Sequence, residues 1–114
     1  MDTFEPVVLC GASAYDEKYY FNHKFDRLPE QIKQELQIIC VLFTEEIGGW
    51  FFLEFSKEGE LMFRTEALDS DYNYDEIGAA LMVKEIRSSR SELLSELELF
   101  YQVVFLGKRL EDME

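Results

Sequence analysis

LPEQIKQELQIICVLFTEEIGGWFFLEF, Leu28 to Phe55, contains the change of period that decides the fold. In its first part Ile32, Leu36, Ile39, Phe43 and Ile47 recur three and four apart, the repeat of one helix face. Pro29 suits a first helical turn, where its missing N–H costs nothing, with Asp26 ahead of it as a cap. Glu30 favours the positive end of the helix dipole. Ile38 to Phe43 is apolar all round, which predicts burial on more than one side. Gly48 and Gly49 stop the helix. Trp50 to Phe55 then follows as a β-rich run that is apolar on both faces, the pattern of a strand near the middle of a sheet.

Towards the C-terminus, Leu61, Phe63 and Thr65 alternate with Met62, Arg64 and Glu66, which reads as a second strand nearer an edge. SKEGE, Ser56 to Glu60, supplies the turn between them, with Gly59 available for positive φ. DSDYNYDE, residues 69–76, is a polar loop, and Asn73 with Glu76 has the spacing of a capping box. Beyond it Ala79, Val83, Ile86, Leu93, Leu97, Phe100 and Val104 keep a three-and-four repeat that fails at Arg90. SSRS, Ser88 to Ser91, falls at that failure, so the sequence predicts one bent helix or two, Ser89 and Glu92 capping the second. Gly107 ends the helical region and residues 108–114 form a tail.

Towards the N-terminus, Val7 to Cys10 and Lys18 to Asn22 read as two short strands joined by Gly11 to Glu17, with a helical turn through Ala12 to Tyr15 as the alternative. The order ββ-α-ββ-α(α) makes each strand pair a local hairpin. The expected fold is α+β: a small, mainly antiparallel sheet of two hairpins, packed against one central helix and a long C-terminal helical region. One domain over residues 1–114 is expected, with an ordered core of about 5–107.

The chain has 114 residues, 47% of them hydrophobic. A globular chain of this length buries roughly two-thirds of its unfolded surface, enough for one core. The 24 Asp and Glu against 11 Lys and Arg give a formal charge of −13. Nucleic acid and anionic membranes repel such a chain, because phosphate binding needs clustered Lys and Arg. The acidic surface either keeps the molecule soluble or forms a face for a basic partner, DNA mimicry included. The start, MDTFEPVVLC, lacks the basic and long apolar regions of an export signal, and no apolar run approaches a membrane span. A cytoplasmic protein is expected, with Cys10 and Cys40 as reduced thiols.

The segment richest in reactive groups is CGASAYDEKYYFN, Cys10 to Asn22, followed by His23, the only histidine. GASAY approaches the G-x-S-x-G elbow, but Tyr15 stands where the tight turn wants glycine. Tyr15 and Lys18 are three apart, and no G-x-G-x-x-G accompanies them. What remains is a catalytic or ligand pocket built from Cys10, Tyr15, Lys18 and His23, with a Cys10–His23 dyad at its centre. Otherwise Cys10 is a small buried hydrophobe and the tyrosines are packing rings. Asp69, Asp71, Asn73 and Asp75 alternate as calcium ligands do, making Asp69, Asp71 and Asp75 candidates for a hard cation. Tyr74 and Ala80, however, replace the glycine and the bidentate glutamate of a true calcium loop. No cofactor is implied: a zinc site would need carboxylates to complete it, and no phosphate-cradling loop is present.

Two features suggest a protein partner. Lys84, Arg87 and Arg90 form a basic stripe that either pairs with nearby glutamates or meets the 69–76 loop of a second protomer, making a homodimer. Phe100, Tyr101 and Phe105 crowd more than one side of the last helix, either as core or as interface anchors.

Three phrases together resemble one family: CGASAYDEKYYFN, LPEQIKQELQIICVLFTEEIGG, and YDEIG leading into the last helix. They are similar to small proteins of anaerobic Gram-positive bacteria grouped as a domain of unknown function, over Val7 to about Gly107. The resemblance implies a single-domain bacterial cytoplasmic protein and carries no activity with it. Function therefore divides between two classes. A non-enzymatic, self-associating interaction module rests on the charge and on the lack of an intact catalytic motif. A small enzyme or ligand binder rests on the Cys10–His23 segment alone.

Overall fold

A computed structural model describes residues 6–109. The elements are β1 (Val7–Ser13), β2 (Lys18–Phe21), a 3₁₀ turn (His23–Phe25), α1 (Glu30–Glu46), β3 (Trp50–Phe55), β4 (Leu61–Glu66), α2 (Glu76–Ser89) and α3 (Ser91–Val104). The strands make one four-stranded antiparallel sheet in the order β2-β1-β3-β4. The two hairpins are local, as expected, and β1 joins them by pairing with β3. Because β2 and β3 both run against β1, they are parallel to each other with β1 between them, and α1 is the crossover.

Residues opposite one another in a ladder point to the same face. Cys10, Ala12, Phe51, Leu53, Phe55, Leu61 and Phe63 thereby share one face, and the helices cover it. Phe43 of α1 stacks on Phe51 with ring centres 4.2 Å apart, and Tyr101 of α3 stacks on Phe55 at the same distance. Phe25, from the 3₁₀ turn, lies against Phe55 and Phe105. Phe25, Phe43, Phe51 and Phe55 are fully buried, and each such ring contributes about 1.5–3 kcal/mol of transfer free energy. On the opposite face the Arg64 guanidinium lies 4.2 Å from the Phe52 ring. It also pairs at 2.7 Å with Glu54, the one buried charged side chain among the described residues, which is thereby compensated.

Several local expectations are corrected. β1 runs on through Gly11, Ala12 and Ser13, which looked like a connection. Pairing on both sides, with β2 and with β3, holds these weak strand formers extended. The turn follows at Ala14 to Glu17, Glu17 taking φ 52°. Asp26 does not cap α1. It ends the 3₁₀ turn and faces His23 and Lys33, while Pro29 holds the N-cap position without a side-chain bond. Gly48 and Gly49 end α1 at φ 97° and 68°, as a left-handed cap requires. The apolar belt of α1 is buried on one side only: Ile38 and Leu42 stay 50% and 45% exposed.

The C-terminal region is two helices, broken at Arg90 (φ −116°, ψ 24°). Neither expected capping box forms. Asp75 caps α2, accepting from the Gly78 N–H at 2.8 Å, and α3 starts without a side-chain cap. Lys108 still bonds to the chain, its N–H donating to the Gln102 carbonyl at 3.0 Å; residues 110–114 of the expected tail lie outside the described residues. Among the described residues no helix is long and apolar enough to cross a membrane.

A Cβ at Gly11 would meet the Phe51 carbonyl oxygen at 2.9 Å and collide with the Phe52 ring. Gly11→Val is expected to lower the unfolding free energy by about 1–3 kcal/mol, as overpacking does, measured by urea denaturation. An unchanged midpoint would show that Phe52 moves aside freely.

Candidate functional site

The structure disperses the residues of the Cys10–His23 segment. Cys10 is fully buried on the helix-covered face of β1. The His23 side chain is 87% exposed and lies 3.3 Å from Asp26. Lys18 begins β2 in solvent. A nucleophile in the interior and a base in solvent make no dyad.

Instead Cys10 meets Cys40 of α1, the two Sγ atoms 3.6 Å apart and both residues without exposure. The two cysteines stand 30 positions apart in the chain, too far for sequence spacing to link them. The available signal was position alone, Cys10 in an apolar strand run and Cys40 beside Ile39 on the inner helix face. Among the described residues the buried Tyr19 hydroxyl has no nitrogen or oxygen partner within hydrogen-bond distance. Burial first, then the charge Cys10 and Cys40 would carry as thiolates, holds its proton far above the usual range. Cys40 is raised well above the ordinary 9.0, first by its hydrogen bond with Cys10 and then by burial.

Tyr15 has a different partner set. Its ring meets Trp50 edge-on at 4.8 Å. Its hydroxyl donates to Asp71 Oδ2 at 2.7 Å and accepts the Leu68 N–H at 3.0 Å. This clasp ties the β1–β2 turn to the acidic loop. Of the three candidate cation ligands, Asp71 is thus engaged by Tyr15 and Asp75 by the start of α2. Among the described residues no group of three or more His, Cys, Asp or Glu is arranged to hold a metal.

The candidate interaction residues are largely satisfied within the chain. Arg87 lies over the Phe63 ring at 4.5 Å, and Arg90 pairs with Glu35 at 3.7 Å. Tyr101 is core, between Phe55 and Phe105, and Phe100 packs half-buried against it; Phe105 keeps partial exposure.

What the sequence did not indicate is the outer side of β4. The Ser56 N–H donates to the Glu60 carbonyl at 2.8 Å and sets the alternation of the ladder. By it Met62, Arg64 and Glu66 bond to β3, while the backbones of Leu61, Phe63 and Thr65 turn outward. Leu61 is occupied: its N–H donates to Glu98 Oε2 at 2.7 Å, and its carbonyl accepts from Arg87 at 3.5 Å. Phe63 and Thr65 instead face a groove of about 650 Å³ between β4 and α2. Ala79, Ala80 and Val83 form its helix wall, and its charged lining residues are all acidic: Glu66, Asp69, Asp71 and Glu76. α2 leaves this space because it buries only Ala79 and Ile86.

Two outcomes follow. Tyr15→Phe should speed amide hydrogen exchange at Leu68 and through the 69–75 loop while leaving the global melting midpoint nearly in place; unchanged exchange would show that the loop holds without the clasp. Tyr19, Cys40 and Tyr101, the last raised by burial, all keep their protons longer when folded. Their contribution to stability is therefore full below the ordinary values of 9.0 and 10.0 and is lost as pH rises past them. Urea midpoints should be flat across neutral pH and fall above about pH 9, with tyrosinate absorbance from Tyr19 appearing only on unfolding.

Comparison with the curated proteins and with the solved structures finds no match. A family model does match, over residues 6–109, nearly the full length of the chain. On that match the chain belongs to a family of unknown function, DUF6145.

Proposed function

We propose that the chain is a non-enzymatic protein-interaction module whose β4 edge takes an extended, basic segment of a partner protein as a fifth strand. The supporting observation is the outward backbone of Phe63 and Thr65, facing a groove whose charged lining is entirely acidic. An open edge offers main-chain hydrogen bonds to any extended chain, and the groove beside it selects side chains. Every second side chain of the added strand would rest on Ala79, Ala80 and Val83, where the small residues leave room. Lys or Arg near its ends would meet Glu66, Asp69, Asp71 and Glu76. A second copy of this chain, with the same formal charge of −13, would meet that rim with repulsion, which favours a basic partner over self-association.

Selection from a display library of random short peptides tests this. Recovered sequences should be rich in Lys, Arg and β-branched residues, and their binding should weaken with salt. Thr65→Pro removes one outward N–H and leaves the β3 ladder intact, so it should keep the fold. It should weaken binding about tenfold, the equivalent of ~1.4 kcal/mol. Ala80→Arg, which fills the groove with a like charge for the ligand, should weaken it further. Peptides that bind Thr65→Pro as tightly as the parent chain would place the site elsewhere.

A further inference from the structure

We infer that Cys10 and Cys40 are a modification site: the two thiols close into an intramolecular disulfide by exchange with a low-molecular-weight disulfide. Their Sγ atoms, 3.6 Å apart, are already in van der Waals contact. Covalent closure to about 2.05 Å asks for a movement of roughly 1.5 Å, within reach of small side-chain rotations. The pair joins two layers of the fold, the inner strand β1 and the helix α1 above it. Neither sulfur has an ion-pair or metal partner that would hold it back, among the described residues.

Access comes from the β2 side. β2 is only four residues long, lies at the sheet edge and bonds to β1 alone. Its Tyr19 lies beside the two thiols, and a second pocket of about 440 Å³ opens against Tyr19, Ala12, Val41 and Thr44. Fraying of this short edge exposes the thiols without disturbing the Phe43–Phe51 stack. One cysteine thiolate then attacks the reagent disulfide, forming a mixed disulfide and releasing one thiol. The other cysteine displaces the second thiol. Overall two protein thiols lose two electrons and two protons, and the reagent's S–S bond becomes two thiols. Proximity of the sulfurs makes the second step fast, so the mixed disulfide does not build up. This site is independent of the β4 groove.

The test equilibrates the full chain, folded or in urea, with mixtures of oxidised and reduced glutathione, followed by acid quench, alkylation and mass spectrometry. The folded chain should pass from dithiol to a monomeric internal disulfide, with a disulfide-to-dithiol ratio about tenfold or more above that of the unfolded chain. Its melting temperature should rise in parallel, since linkage makes the two effects reciprocal. Cys40→Ser should show no internal closure and give a glutathione adduct at Cys10 or no reaction. Three results would each overturn the inference: a folded chain that keeps both thiols, one that accumulates the glutathione adduct, or a ratio no higher than in urea.

Discussion

The ladder between β1 and β3 makes one sheet of two separate hairpins. A lone two-stranded hairpin is marginal in water, and three or more strands with an apolar face are needed for stability. The seam supplies this through unequal partners. β1 brings Cys10, Gly11 and Ala12; β3 brings Leu53, Phe52 and Phe51 opposite them. The small residues let the Phe52 ring lie over the β1 backbone on one face, and let α1 come down on the other. Phe43 on Phe51 and Tyr101 on Phe55 then fix both helix layers to the same strand. The rest of the packing is arranged around β3.

The packing weakens away from that strand. α1 and α3 bury several large residues each, whereas α2 buries only Ala79 and Ile86 and leaves Ile77 and Leu81 exposed. The same weakness produces the groove beside β4. Elements with few buried contacts are those that open locally at low cost. The molecule thus places its most adjustable helix beside its open strand edge, with the Tyr15 clasp holding the intervening loop.

Much of the architecture was readable because it depends on local period. The repeat from Ile32 to Ile47, the strand run from Trp50 to Phe55, the Gly48–Gly49 stop and the break within Ser88 to Ser91 all appear where expected. The failures share a cause: they turn on which elements become neighbours. Gly11 to Ser13 extend β1 because strands flank them on both sides, which propensity does not encode. Asp75 caps α2 in place of Asn73 two positions ahead of it, since Asp and Asn serve that role almost equally well. The even apolarity of Ile38 to Phe43 concealed an outer face, Ile38 and Leu42, that the described residues leave about half exposed. The site was less readable than the fold. Cys10 found Cys40 rather than His23, and although β4 takes the edge position expected of it, the groove beside Thr65 depends on how loosely α2 packs there.

The sheet order also sets a timetable for synthesis. Val7 pairs with Phe55, so β1 leaves the ribosome well before its inner partner exists. At about 5–20 residues per second the delay is roughly 2 to 10 seconds. Through that interval the nascent N-terminal hairpin has its β2 side satisfied and its other edge bare. The cover over Phe55 comes later still, because Tyr101 follows it by 46 positions. A chain carrying its acidic residues throughout its length repels its own siblings on a polysome during that wait. Charge density can thus protect an unfinished sheet as well as a finished surface.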